Sequence, residues 1–153
     1  MNVQYENFKR IEGDYYGNGI EVICNFNYVR YELSIFSTED YINTEEKISI
    51  IDEQLIRVLS WIEKNKETVH KRAVDENYDW LFDELISDSD YYTEKGSITI
   101  DEIINFTKLA WVKVFCEIDK IKSFLLCYEE TEEINAALLG GNTFGIEISI
   151  SEL

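Results

Sequence analysis

One histidine, three cysteines and 31 carboxylates are the side chains of this 153-residue sequence on which chemistry would draw. His70 lies between Val69 and Lys71 in a helical apolar pattern, with no Ser or Cys motif to pair with it. It reads as a surface or boundary histidine rather than a general base. Cys24, Cys116 and Cys127 each sit inside an apolar, strand-like run. An odd number at wide spacing reads as buried free thiols acting as small hydrophobes. Zinc would need paired ligands, and the chain has no Cys-x-x-Cys and a single His. Gly-x-Ser-x-Gly, Gly-x-Gly-x-x-Gly and phosphate-loop patterns do not occur. Gly140-Gly141-Asn142-Thr143-Phe144-Gly145 has the composition of an anion nest, but Glu130, Glu132 and Glu133 border it, so a plain turn is the preferred reading. So many acids make glycosidase-like carboxylate pairs uninformative. The expectation is a protein that is not an enzyme, with no catalytic residue, no cofactor and no metal site.

The densest chemistry is acidic. Asp75-Glu76-Asn77-Tyr78-Asp79-Trp80-Leu81-Phe82-Asp83-Glu84, followed by Asp88 and Asp90, contains no Lys or Arg before Lys95. Three readings stand side by side. In the first, the segment is the solvated face of a helix whose Trp80, Leu81 and Leu85 face the core. In the second, Asp88-x-Asp90 opens a calcium loop, but Thr93 and Thr99 stand where such a loop needs Gly and Glu. In the third, it is a docking surface for a basic partner, made by Tyr78, Asp79, Trp80, Asp83, Glu84, Asp88, Asp90, Tyr91 and Tyr92. Interfaces are rich in Tyr and Trp, and complementary charge speeds association.

Periodicity supplies the elements that hold these residues. Asn18-Gly19 is a strong type I′ turn signal, followed by alternation at Ile20, Val22, Cys24 and Phe26. Tyr31–Phe36 alternates again after a turn at Asn27-Tyr28-Val29-Arg30. From Ile51 the spacing becomes helical through Leu55, Val58, Leu59, Ile62, Val69, Ala73 and Val74. One long helix over about 50 to 75 is expected, uninterrupted at Asn65, with Tyr78–Ile86 as a second helix or its continuation after a bend. Thr99-Ile100-Asp101-Glu102 is a capping box for a short helix. Residues 109–118 and 123–128 form a second hairpin, Thr131-Glu132-Glu133 caps a helix ending at Gly140-Gly141, and Phe144, Ile146, Ile148 and Ile150 alternate in a last strand. The fold class expected is α+β: an antiparallel sheet of about five to six strands, with one long helix and shorter helices packed on one face. Length makes residues 1–153 a single domain large enough to bury a core.

Charge bounds the partners. A formal net charge of −17 with 45% hydrophobic residues describes a folded domain with a negative surface rather than a disordered acidic tail. Such a field attracts cationic proteins and repels nucleic acid and anionic lipid. The N-terminus lacks a basic region followed by an apolar run, and no stretch is long and apolar enough to span a membrane. The expected location is cytoplasmic.

The second half resembles a group of uncharacterised bacterial domains of unknown function. The residues that carry the likeness are Tyr78-Asp79-Trp80-Leu81, Thr99-Ile100-Asp101-Glu102-Ile103, Trp111 through Tyr128, and Leu139-Gly140-Gly141-Asn142 ahead of Ile146-Glu147-Ile148. Asn142 stands where such domains often carry His. Some of them look like immunity proteins encoded beside secreted toxins. The resemblance therefore implies a basic protein partner, a toxin in its most concrete form, and no catalysis. Two alternatives stay open at this point: a housekeeping adaptor or symmetric homodimer, and an enzyme of unrecognised class.

Overall fold

The computed structural model describes residues 8–16, 19–37, 45–117, 120–131 and 138–153. Six strands, β1 (Phe8–Tyr16), β2 (Gly19–Phe26), β3 (Val29–Ser37), β4 (Thr107–Glu117), β5 (Lys120–Glu130) and β6 (Phe144–Ser149), follow one another across the sheet in chain order. Between β3 and β4 lie the helices α1 (Glu45–Glu84), α2 (Asp90–Lys95) and α3 (Ile100–Asn105). The α+β class is the one expected. The sheet is mixed rather than wholly antiparallel, because β3 and β4 pair in parallel, Leu33 opposite Val112 and Ile35 opposite Val114. A hairpin turn reverses the chain, whereas a long helical connection returns it to the end of the sheet where it started, so the next strand enters parallel.

The chain divides into two compact units. Unit 1 comprises Met1–Lys64, Trp111–Leu125 and Glu147–Leu153; unit 2 comprises Asn65–Ala110 and Leu126–Ile146. The division falls inside α1 at Asn65, whose φ of −112° and ψ of 15° are not helical. Here the expectation of an uninterrupted helix is corrected. Asn side chains compete for backbone hydrogen bonds and tolerate such a break where a straight-chain residue would not. The same helix also starts earlier and ends later than its periodicity suggested.

In unit 1, one face of the sheet carries Val22, Cys24, Tyr31, Leu33, Ile35, Val112, Val114, Cys116 and Phe124, all buried. Against it α1 lays Ile51, Leu55, Val58, Leu59 and Ile62, also buried and spaced at three and four residues. Trp61 meets the Phe124 ring edge-on at 5.6 Å, the Gln54 side-chain carbonyl accepts from the Ile121 amide at 2.7 Å, and the Tyr31 hydroxyl donates to Glu63. Burial, then Glu63, raises the Tyr31 pKa well above its ordinary value. The β2–β3 turn places Asn27 and Tyr28 at φ of 50° and 67°, the type I′ geometry. Of the turn expected at Asn18-Gly19, Gly19 belongs to β2 and pairs with Tyr16, and Asn18 lies outside the described residues.

In unit 2 the buried set is Val69, Ala73, Val74, Leu81, Ile86, Ile103, Leu126, Cys127, Tyr128, Leu138, Leu139, Phe144 and Ile146. Asn77 ties α1 to β6 by donating to the Gly145 carbonyl at 2.9 Å. All three cysteines are buried free thiols, and burial pushes the Cys116 thiol up to about 12. The helix expected to end at Gly140-Gly141 falls on residues 132–137, outside the described residues. Among the described residues, no helix is long and apolar enough to cross a membrane.

Candidate functional site

The acidic segment folds as the last turns of α1, a 3₁₀ turn at Ile86–Asp88 and the start of α2. Ala73, Val74 and Leu81 supply the inward side of α1, while Asp75, Glu76, Asp79, Trp80, Asp83 and Glu84 are exposed. Trp80 is therefore not a core residue: its side chain is 45% exposed in the midst of these carboxylates. At 100° per residue it lies about 100° from Leu81, at the edge of the apolar stripe. Arg72 pairs with Glu76 at 3.3 Å, one turn away. Among the described residues, no ion pair involves Asp75, Asp79, Asp83 or Glu84.

The aromatic residues expected to share this surface separate into two kinds. Tyr78, half-buried, stacks on Phe82 (6.1 Å, 18°), and Phe82 meets Tyr92 edge-on (5.1 Å, 89°). Tyr91 is held inside its own network: its hydroxyl donates to Glu102, its ring meets Phe106 edge-on at 5.1 Å, and the Lys95 ammonium sits 5.4 Å from the ring centre. Hydrogen bonds from Lys95, then from Tyr91, hold the Glu102 carboxyl down at about 2. That arrangement rests on two caps. The Ser89 hydroxyl accepts from the Tyr92 amide to start α2, and Thr99 with Glu102 forms the expected capping box of α3. Tyr78, Tyr91 and Tyr92 therefore support the surface, while Trp80 is the aromatic group that it presents.

Asp88 closes the 3₁₀ turn and Asp90 opens α2. Most of the residues that a calcium loop would use up to Lys95 are thus helical, and Gly96 at φ of 77° ends α2. Among the described residues, no three His, Cys, Asp or Glu side chains converge to hold a metal ion. Glu84, Asp88, Ser89 and Asp90 instead line a shallow concavity of about 260 Å³ together with Leu139, Gly140 and Asn142. Its far wall is the Gly-Gly turn, where Gly140 and Gly141 take φ of 61° and 82°. Just ahead of it the amides of Leu138 and Leu139 donate to the Glu130 carboxylate, which sets a negative charge beside the place where an anion nest would form. Periodicity could not bring the acidic helix end and the glycine turn together, because they lie about fifty residues apart in the chain.

Sequence reasoning missed the surroundings of His70. Its ring stacks on Tyr128 (4.4 Å, 10°), which in turn stacks on Phe144 (5.4 Å, 18°). Its Nε2 lies 2.8 Å from the hydroxyl of buried Thr107, and that hydroxyl donates to the Ile103 carbonyl at 2.8 Å. With the Thr107 proton so engaged, Nε2 must be the donor, and the neutral ring carries its proton there. Burial lowers the His70 pKa to about 4. The ring thus sits at the boundary of the core, packed on Tyr128 and bonded to Thr107. No protein-family model, no curated protein and no solved structure matches the chain.

Proposed function

We propose that this chain is a non-enzymatic binding domain that docks a basic protein on the acidic outer face of the second half of α1. The observation that carries the reading is Trp80, a large aromatic ring left exposed and ringed by Glu76, Asp79, Asp83 and Glu84. Interface hot spots favour Trp, and a rim of like charge steers the partner onto it. The helix end adds a second argument. Asp83 and Glu84 close α1 with no basic residue in its last turn. The helix dipole disfavours negative charge there by about 0.3–1 kcal/mol per group, a cost that a cationic partner relieves on binding. In its narrowest form the partner is a basic bacterial toxin and the chain its immunity protein; that step rests on the resemblance of the second half to immunity-like domains.

The test is retention of a partner from the source organism's lysate on immobilised wild-type chain and on the W80A/D79K/D83K variant, at low and at high salt. The expected result is one stoichiometric basic protein, released by salt and absent from the variant. Equal retention by both chains overturns the surface assignment, and a retained acidic protein overturns the partner class.

A further inference from the structure

A second tryptophan stands in another setting, in unit 1. On the face of the sheet away from α1, Glu21 and Ile23 of β2, Glu32 and Ser34 of β3, and Trp111 of β4 line a concavity of about 380 Å³, floored by Val22 and Leu33. Register explains the grouping. Glu21 lies opposite Ser34 and Ile23 opposite Glu32, while the parallel pairing of Leu33 with Val112 sets Glu32 beside Trp111. Among the described residues, two cations stand near without lining the space. Lys113 lies opposite Ser34. Arg30 approaches Glu32 at 3.6 Å with the two side chains 61% and 58% exposed, a surface pair that contributes little and yields readily.

We propose that this concavity binds a guanidinium group, the side-chain chemistry of arginine. Two carboxylates alone would not specify a ligand; the indole beside them and the volume of the concavity do. A guanidinium is flat, permanently charged and weakly hydrated, so it stacks on an indole while its N–H fork reaches a carboxylate. A hydrated metal ion gains nothing from the indole, and an ammonium keeps its own water. The volume falls at the small end of ligand-sized sites. The inference is independent of the Trp80 surface, since every described lining residue belongs to unit 1.

The experiment is an NMR titration of the full chain with Nα-acetyl-arginine amide, following the Trp111 indole N–H, identified through W111F. The expected result is a saturable shift, with affinity about tenfold lower in E21Q/E32Q and about tenfold lower for Nα-acetyl-lysine amide, the size of one lost cation–aromatic or ionic contact. W80A should bind as wild type. Both glutamates are exposed, so the double variant keeps its fold. An unmoved Trp111 signal, an unchanged affinity in E21Q/E32Q, or equal binding of the lysine amide overturns the proposal. An acetylated Gly-Arg-Gly amide separates the two sources of the group. Binding about tenfold tighter than the arginine amide assigns it to a protein partner, and equal binding assigns it to a free guanidinium compound.

Discussion

Trp80 and Trp111 are the same residue type with carboxylates around both, yet they present opposite shapes. Trp80 rides the convex side of a helix, where a partner must supply the walls of any pocket. Trp111 sits half-buried on a sheet, where neighbouring strands supply walls of their own. A convex site reads charge and apolar area, so its selectivity lies in the whole partner surface. A concave one reads the shape of a single group. An aromatic residue among acids is thus not one signal: the backbone beneath it decides what it can recognise.

The largest test of that contrast goes beneath Trp80 rather than to it. Leu81, fully buried next to it in sequence, should cost about 2–5 kcal/mol when cut to Ala. W80A should stay within about 0.5 kcal/mol of wild type, both read by urea denaturation. A large loss from W80A would mean that the ring belongs to the core, and the docking surface would lose its anchor.

The pH dependence comes next and belongs to unit 2. The folded His70 pKa of about 4 lies below its ordinary value of 6.5, so protons favour the unfolded chain. Its contribution is whole above pH ~6.5 and is lost as pH falls towards ~4, by about 2 kcal/mol after allowance for partial exposure. H70F should flatten stability across that window. Glu102 acts lower, where its stabilising contacts fade as pH falls from the ordinary carboxyl range through about 2. A wild-type curve already flat between pH 6.5 and 4 would show that His70 is solvated.

Two smaller effects oppose each other in meaning. Tyr28 is 99% exposed at a positive φ, a position that glycine takes without strain. Y28G should therefore stabilise the hairpin by about 1 kcal/mol in thermal unfolding. D83K should stabilise the chain by about 0.3–1 kcal/mol, by placing positive charge at the α1 C-terminus, while partner binding falls. Stability gained and binding lost in one substitution would mark Asp83 as kept for function; a loss of stability would assign it a structural role.

Much of the frame is legible in the sequence. The helical spacing from Ile51 to Val74 marks residues that are buried, because a helix has a period of its own. The alternation at Val22, Cys24 and Phe26, and again at Tyr31, Leu33 and Ile35, names the inward side of β2 and β3 for the same reason. Thr99 and Glu102 announce α3, since a capping box is complete within four residues. The acidic run is plain, but its inner logic is not: periodicity sets Trp80 near the edge of the apolar stripe, and only the packing of Leu81 settles which way it points.

Neighbours in the chain were enough to specify the α+β composition, the buried cysteines, the acidic field and the caps. They were not enough for the parallel entry of β4, the break at Asn65, the stacking of His70 on Tyr128 or the meeting of Glu21, Glu32 and Trp111, which came with the assembled fold. The difference is one of range. Periodicity and capping are local energies, whereas register, burial and concavity arise between residues up to ninety positions apart, and no local preference encodes them.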